Sequence, residues 1–301
     1  MGAGVTAGHA TSDGEKRSRL IGIGLMTLST FIFGFSNVLA KHLTTQYPIG
    51  EALVIRSGFA LLLLLPFVRS ADLRAIARGS AGLHLVRMVL AGIEIACFYW
   101  AVARLQLADV STFYLSAPVM LTAISALVLR ETVGPARWAA TLLGFAGVLV
   151  ALRPTSGALS APAMIGLLGS LLYAIFLAVT RRLRGTPGVA MVLLQLIALT
   201  TAGAVTVPFA WETPDVPGFA LMAGVGVIGI CGYFCVNRAL QLAPASVIAP
   251  FQYLSIIWSV VLGYLAFGDI PGVETLAGAA LIIAAGAFIL YLERREQAAK
   301  A

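Results

Sequence analysis

The chain has 301 residues, of which 59% are hydrophobic and 11% are charged, and its formal net charge is +7. An average soluble domain has about 25% charged residues, so this composition excludes a water-soluble globular protein. The basic residues are spread along the chain and are not gathered on one polar domain, which excludes a nucleic-acid-binding module.

Residues 1–19 are rich in Gly, Ala, Thr, Ser and charge, which predicts a disordered cytoplasmic tail and no signal peptide. Ten apolar windows follow, each close to the roughly 20 residues that a helix needs to cross a bilayer core. Backbone groups inside a bilayer must pair within their own segment, so the windows predict helices. They are Leu20–Leu43, Gly50–Phe67, Gly82–Ala103, Asp109–Leu129, Pro135–Leu152, Pro162–Thr180, Gly188–Phe209, Val216–Val236, Ala245–Phe267 and Val273–Leu292. The sequence therefore predicts an all-α membrane protein with ten transmembrane helices.

The basic residues indicate the orientation of these helices. If the amino terminus is cytoplasmic, 15 of the 20 Lys and Arg residues fall in inside segments, and only Lys41, Arg104 and Arg153 fall outside. The remaining two, Arg56 and Arg87, lie within windows. This bias follows the positive-inside rule, and it predicts a multi-pass protein of the inner (plasma) membrane with both termini in the cytoplasm.

An internal repeat divides the chain into two halves of five windows each. The tetrapeptide Leu-Gln-Leu-Ala occurs at Leu105–Ala108 and again at Leu240–Ala243, and Phe33-Gly34 corresponds to Tyr173-Ala174, 140 positions later. A duplicated unit with an odd number of crossings is inserted in opposite orientations, as in many secondary transporters. We therefore predict two inverted five-helix repeats, residues 20–153 and 162–293, followed by a cytoplasmic tail at 294–301.

Glu94 lies near the middle of the third window, where a charged side chain costs about 2.5 to 3.5 kcal/mol on the translocon scale. It shares one helix face with His84, Arg87, Ala91 and Phe98, at spacings of three and four. Three interpretations of Glu94 are open: it binds a substrate ammonium group, it carries a coupling proton, or it is neutral and hydrogen-bonded within the bundle. Arg87 lies nearer the cytoplasmic end, so we expect it to snorkel towards the interface.

Proline occurs at matching places of the two halves. Pro118 in the fourth window and Pro250 in the ninth remove a helix hydrogen bond and predict kinks. Interrupted helices at corresponding positions of two repeats are a pointer to a binding site and a hinge, although both kinks are equally compatible with tolerated bends. Tyr114 lies on the polar face of the fourth window, with Ser111 and Thr122.

Further candidates for a substrate cavity are polar or aromatic residues within the windows. Arg56 is a candidate for a substrate carboxylate, with snorkelling as the alternative. The others are Tyr99, Tyr173, Gln195, Gln252, Tyr253 and Trp258. For the large aromatic residues, cavity walls, lipid-facing bulk and interfacial anchors are all open interpretations.

Several enzyme and cofactor classes are not expected. The loops are too short for a soluble catalytic domain, and no Gly-x-x-x-x-Gly-Lys-[Ser/Thr] loop for ATP is present. The windows place no second acid beside Glu94 that would form a catalytic pair, and Cys231 and Cys235 have no ligand-spaced partners for a metal. We therefore predict no cofactor and no enzymatic activity. The fifth and tenth windows are poor in polar residues, so we expect them at the periphery, against lipid or a second copy of the chain.

Several short motifs make the chain resemble one family of transporters. They are Phe33-Gly34, Arg56-Ser57-Gly58-Phe59, Leu129-Arg130-Glu131, Ala249-Pro250-Phe251-Gln252-Tyr253 and Phe267-Gly268-Asp269, with the closing Gly278 and Gly286. From about Leu20 to Glu293, the chain resembles the drug/metabolite transporter superfamily, EamA type, and by overall similarity its YddG group of amino-acid exporters. The resemblance implies a central cavity between the halves, formed chiefly by helices other than the fifth and tenth.

Residues and resemblance together predict a secondary transporter that exports aromatic and other neutral amino acids, or similar small metabolites, by alternating access. In this hypothesis Glu94 binds the ammonium group, while Arg56, or Gln252 with Tyr114, binds the carboxylate. The alternative is a carrier of another solute class, such as a vitamin, a nucleotide derivative or a cationic drug. A structural or sensory membrane protein that transports nothing is a further alternative.

Overall fold

The computed structural model describes residues 3–44, 46–102, 113–152, 161–267 and 273–298, and within these ranges every regular element is helical. The α-helices are α1 (Ala3–Thr44), α2 (Ile49–Leu64), α3 (Ser70–Arg78), α4 (Ala81–Val102), α5 (Ala117–Leu127), α6 (Pro135–Leu152), α7 (Ala161–Arg182), α8 (Gly188–Thr206), α9 (Val216–Leu242), α10 (Ala245–Ile248), α11 (Leu254–Phe267) and α12 (Val273–Ala298). Short 3₁₀ turns occupy Leu65–Phe67, Val207–Phe209 and Ala249–Tyr253. The first Leu-Gln-Leu-Ala copy and Ser111 lie outside the described ranges.

Each predicted window contains an apolar helix, which confirms an all-α membrane protein. Among the described residues, six helical stretches are long and apolar enough to cross a bilayer: Lys16–Leu39, Ile49–Phe67, Ala81–Phe98, Met164–Arg182, Gly188–Phe209 and Val216–Leu242. Shorter apolar helices occupy Ala117–Leu127, Pro135–Val150, Ala245–Trp258 and Leu276–Ala285, in the four remaining windows. Ten crossings and their inverted orientation remain predictions.

The amino-terminal segment differs from its prediction. Residues 1–19 were expected to be a disordered tail, but α1 already begins at Ala3. No proline interrupts this stretch, and extending an existing helix by one residue is far easier than nucleating a new one. The polar residues are therefore a continuation of the first spanning helix.

Helices of the first half pack mainly on helices of the second. α1 packs against α9 and α11, while α7, its counterpart, packs against α4 and α5. α2 contacts α8 and α9, and α8 contacts α2 and α4. The counterparts in the two halves are α1 and α7, α2 and α8, α4 and α9, and α5 and α11. If each helix is replaced by its counterpart, the same set of pairs results, as expected for two copies of one unit related by a twofold axis. α6 and α12 pack chiefly on each other, away from the polar helices.

A glycine permits the close approach of α2 and α9. A Cβ atom added at Gly226 would collide with the backbone carbonyl oxygen of Arg56 and would lie 3.0 Å from its carbonyl carbon. Small residues of this kind let membrane helices pack backbone to backbone. Gly226 therefore fixes the position of Arg56 against the second half.

Both prolines produce breaks where kinks were predicted. The helix of the fourth window is interrupted at Leu115 and Ser116, and Pro118 is the second residue of α5. In the ninth window Pro250 is the second residue of the 3₁₀ turn between α10 and α11. Proline is well tolerated in a first turn, where its missing N–H has no helical partner to lose. Both halves thus interrupt corresponding helices, one by a turn before Pro118 and the other by a 3₁₀ turn that contains Pro250.

Candidate substrate site

Glu94 of α4 is half-buried where α2, α4 and α7 meet the segment before α5. The Tyr114 hydroxyl donates a hydrogen bond of 3.1 Å to the Glu94 backbone carbonyl. The Glu94 carboxylate also interacts electrostatically with the Arg56 guanidinium and with the Tyr173 phenol. Four of the predicted site residues, Glu94, Arg56, Tyr114 and Tyr173, are therefore brought together by the fold.

Aromatic rings lie near Glu94. Phe98 lies edge-on to Tyr114, with ring centroids 5.1 Å apart and an interplanar angle of 87°. Tyr173 stacks with Phe176 at a centroid distance of 6.3 Å. Edge-to-face and offset geometries are favoured for aromatic pairs, so these contacts hold the phenol groups of Tyr114 and Tyr173 in fixed positions near Glu94.

The Tyr114 ring is seated by a glycine of α7. A Cβ atom added at Gly169 would lie 2.9 Å from Cζ of Tyr114 and 3.1 Å from Cβ of Cys97. The next residue, Ser170, forms a 2.9 Å hydrogen bond with the Ser116 hydroxyl. α7 thus holds both the tyrosine and the helix break that precedes Pro118.

The interpretation of Arg87 as a snorkelling residue is wrong. Its side chain is only 1% exposed. Its Nε donates to the Thr180 hydroxyl at 2.8 Å, one terminal nitrogen to the Met191 carbonyl at 3.1 Å and the other to Asn237 Oδ1 at 3.1 Å. Its Cζ also lies 4.6 Å from the centroid of the Phe176 ring. Arg87 therefore joins α4 to α7, α8 and α9, because these helices supply neutral acceptors that the single-helix pattern did not reveal.

The two predicted glutamines are buried in the second half. Gln195 of α8 and Gln252 of the 3₁₀ turn are 6% and 7% exposed. Within the described part of the chain, Oε1 of Gln195 and Nε2 of Gln252 have no hydrogen-bond partner. Buried polar atoms are normally paired, so both amides are available to a bound solute or water.

The structure places two predicted aromatic residues away from Glu94. Tyr253 has no exposed surface and its ring lies against Gly144 of α6, 2.7 Å from where a Cβ atom of that residue would be. It packs in the core with Val148, Ile256 and Ile282. Trp258 donates from its indole to the Thr30 hydroxyl at 3.1 Å, joining α11 to α1. The side chain of Tyr99 lies outside the described part.

A polar cluster joins the two halves at the end predicted to face the cytoplasm. The Glu131 carboxylate pairs with Arg181 at 3.1 Å and accepts bonds of 3.3 Å from the backbone N–H groups of Ala245 and Ser246. Arg181 also donates to the Leu240 carbonyl at 2.7 Å. From the sequence, Glu131 was named only within the Leu129-Arg130-Glu131 motif, and this link was not predicted. The available signals were its position before the fifth window and the matching position of Asp269 in the second half.

Another polar cluster joins the halves at the opposite end. The Tyr47 hydroxyl donates to Asp215 Oδ1 at 2.6 Å, and the same oxygen accepts the Gly218 N–H at 2.8 Å, capping α9. The hydrogen bond from Tyr47 lowers the pKa of Asp215 below its ordinary value and raises the pKa of Tyr47 above its own. Glu51, fully buried, accepts the Glu212 N–H at 2.8 Å. Hydrogen bonds therefore join the two halves at both ends of their interface.

Comparison with known proteins identifies the family. The model of the EamA-like transporter family matches twice, over residues 20–153 and 160–291. The chain is 29% identical to a riboflavin transporter of Rhizobium johnstonii over 94% of its own length and 95% of that protein. It is 28% identical to a pseudopaline exporter of Pseudomonas aeruginosa over 88% and 94% of the two chains, and 24% identical to an S-adenosylmethionine uptake transporter of Rickettsia bellii over 93% and 97%.

A solved crystal structure shares the fold. It has 17% sequence identity and a TM-score of 0.74, over 93% of this chain and 98% of the other. The family matches cover both halves of the chain, and the helices they cover are those that bring Glu94, Arg56 and Tyr114 together. The chain belongs to the EamA-like transporter family of the drug/metabolite transporter superfamily, and it is a multi-pass membrane transporter of small molecules.

Proposed function

We propose that the chain is a secondary carrier for a solute of the vitamin or nucleotide-derivative class, bound at Glu94 between the two halves. The observation that supports this most directly is the grouping of one carboxylate with the rings of Phe98, Tyr114 and Tyr173. The relatives named above transport riboflavin, pseudopaline and S-adenosylmethionine, and none of them is named as an amino-acid exporter.

The chemistry of the site suits a flat, polar heteroaromatic solute. Riboflavin and S-adenosylmethionine both contain a planar heteroaromatic ring, which packs favourably against aromatic side chains. A carboxylate in a water-poor site accepts strong hydrogen bonds from N–H or O–H groups and pairs with a cationic group. Glu94 would thus orient the polar part of the solute while the rings hold its planar part.

An amino acid is the competing substrate. Glu94 and Arg56 interact electrostatically, so together they offer one partner for each end of a zwitterion. Their mutual attraction also means that a zwitterion would have to displace an existing interaction. A solute that engages Glu94 and the aromatic rings without separating the two residues avoids that cost.

Transport would proceed by alternate opening of the two ends. The contact of Glu131 with Arg181 closes one end, and the contacts of Tyr47 with Asp215 and of Glu51 with the Glu212 backbone close the other. Breaking one set while keeping the other would expose Glu94 to one side only. The helix breaks before Pro118 and at Pro250 would absorb the movement.

A flux assay in proteoliposomes tests the substrate class. Riboflavin, S-adenosylmethionine and a panel of aromatic and neutral amino acids are offered in each direction, with and without a pH gradient. We expect saturable flux of a vitamin or nucleotide derivative, and at least a tenfold loss of that flux in Glu94→Gln. Glu212→Gln is the matched control: it changes only an exposed side chain, leaves the backbone N–H that bonds to Glu51 in place, and should transport normally. Flux of amino acids alone, or full activity of Glu94→Gln, would contradict the proposal.

A further inference from the structure

A basic cavity lies at the end of the bundle predicted to face the cytoplasm, apart from the Glu94 site. Its volume is about 890 Å³. Six arginines line it: Arg19, Arg130, Arg137, Arg181, Arg182 and Arg184. They come from α1, from the segment joining α5 to α6, from α6, and from the end of α7 with the residues after it. The cavity is therefore shared by both halves.

The lining of the cavity contains little negative charge. Glu131 is the one acidic residue in the lining. Its two oxygens already accept from Arg181 and from the backbone and side chain of residues at the start of α10. Arg181 is moreover repelled by Arg19 and Arg184. An anion placed between these guanidinium groups would relieve their repulsion.

The backbone at the cavity rim supports a functional role. Arg130 has a φ of 55°, the one positive value among the described residues other than glycine. A long side chain adopts this conformation only where the surrounding structure imposes it. Here the Glu131 N–H donates to the Ser125 carbonyl at 3.0 Å, folding the chain back on α5. Arg130 is thereby held at the rim beside Glu131.

We infer that this cavity is a binding site for a phosphate-bearing anion, distinct from the site of transport. Guanidinium groups bind phosphate through paired hydrogen bonds, and basic pockets between helices on the cytoplasmic side accept phosphorylated lipid headgroups. The volume is large for a free phosphate ion and has room for a phosphate with an attached glycerol or nucleoside. The phosphate could come from an anionic lipid or from a soluble phosphorylated metabolite.

The positive-inside rule alone makes a different prediction. It requires basic residues on the cytoplasmic side, but it does not require that they converge on one cavity. Arg74 and Arg78 of α3 belong to the same predicted side, are exposed and do not line the cavity. They are a matched control, because their removal changes the net charge by the same amount.

Binding to the purified full-length protein tests the inference. Native mass spectrometry measures retention of phosphatidylglycerol against phosphatidylcholine, and a thermal-shift titration measures inorganic pyrophosphate. In the double variant Arg182→Gln/Arg184→Gln, we expect the affinity for at least one phosphate probe to fall about fivefold or more. Both side chains are exposed, so the fold should be kept, and circular dichroism verifies it. Arg182→Lys/Arg184→Lys should retain part of the binding because it keeps the charge.

The outcomes separate the sources. A selective loss of phosphatidylglycerol identifies a lipid headgroup, and a loss of pyrophosphate binding identifies a soluble phosphate ligand. If Arg74→Gln/Arg78→Gln reduces binding as much as the cavity variant does, the effect is one of general charge and the inference is overturned. It is equally overturned if neither probe binds more weakly to the cavity variant.

Discussion

Arg87 has a buried guanidinium group, and its hydrogen-bond partners among the described residues are all neutral. Its hydrogen-bond partners are a hydroxyl, a backbone carbonyl and an amide on three different helices. Removing the guanidinium would take away the partner of the buried Asn237 amide oxygen, and an unpaired buried polar group costs roughly 1 to 3 kcal/mol. At this position the side chain therefore stabilises the bundle.

We expect Arg87→Met to destabilise the protein by about 1 to 3 kcal/mol, since it keeps the volume but removes the partner of the buried Asn237 amide oxygen. Thermal unfolding in detergent, followed by tryptophan fluorescence, measures the effect. The control is Arg238→Gln on α9, whose exposed contact with Gln241 should contribute less than about 1 kcal/mol. Equal stability of the two variants would show that the buried contacts of Arg87 contribute little.

Tyr114 tests the contribution of a single hydroxyl at the substrate site. In Tyr114→Phe the ring contact with Phe98 is kept, and only the hydrogen bond to the Glu94 carbonyl is lost. A neutral hydrogen bond contributes about 1 kcal/mol to stability, so we expect the free energy of unfolding to fall by about that amount. KM should also rise, because Glu94 is then held less firmly at the proposed site. Tyr264→Phe, at an exposed position, should leave KM unchanged, and a Tyr114→Phe variant with the same KM would remove this tyrosine from the site.

Tyr47 and Asp215 give the stability a defined pH dependence. The lowered pKa of Asp215 stabilises the fold above the ordinary value of about 4, and this stabilisation is lost as pH falls through the folded-state pKa. The raised pKa of Tyr47 stabilises the fold below about 10, and this stabilisation is lost as pH rises through its folded value. The contact is therefore fully effective between about pH 4 and pH 10.

Tyr47→Phe should lower the unfolding temperature across that range and converge with the parent protein at the acid and alkaline ends. Unfolding temperatures of both proteins, measured over the whole pH series, give the comparison. Tyr291→Phe, exposed on α12, is the control. A constant difference at every pH would mean that the contact with Asp215 is not responsible.

At the scale of elements, Glu131 connects three helix ends. It pairs with the end of α7 and accepts hydrogen bonds at the start of α10, while its own segment leads into α6. Carboxylates at a helix N-terminus are stabilising, and loss of one partner of a buried ion pair costs about 3 to 5 kcal/mol. The side chains of Arg181 and Glu131 are 10% and 15% exposed, so we expect a value near the lower end of that range.

A double-mutant cycle isolates this connection. Glu131→Gln, Arg181→Gln and the double variant are compared by thermal unfolding, and we expect a coupling of about 1 to 3 kcal/mol. The same cycle on Tyr47 and Trp211, whose side chains bond to Asp215 and Thr213 respectively, should show additivity. Additive losses at Glu131 and Arg181 would mean that the ion pair does not hold these helix ends together.

The windows predicted where helices lie better than they predicted where helices stop. Pro135, Gly188 and Val216 begin both a window and a helix, because turn residues precede them. The breaks at Ser116 and at Pro250 were predicted only as kinks. A proline in the sequence does not show whether the helix bends at that residue or ends in a turn beside it. Periodicity predicts that Glu94, Phe98 and Arg87 share one helix face, but it does not predict how deeply each side chain is buried, so the prediction for Arg87 was wrong.

The packing of the whole molecule explains the remaining errors. The residues that contact Arg87 and Tyr253 lie on helices that are distant in the sequence. No local sequence pattern specifies which distant helices pack together. Within the described ranges, the most extensive helix contacts join different halves: α1 with α9, α6 with α12, α2 with α8, and α4 with α7. The halves therefore interlock and do not lie side by side as separate domains.

Interlocking halves have a consequence during synthesis on the ribosome. Thr180 follows Arg87 by 93 residues and Asn237 follows it by 150. At about 5 to 20 residues per second, the guanidinium spends on the order of ten seconds in or near the bilayer before its last partner is made. The nascent first half must be sheltered for that interval, by the insertion machinery or by water at the membrane surface, until the second half arrives.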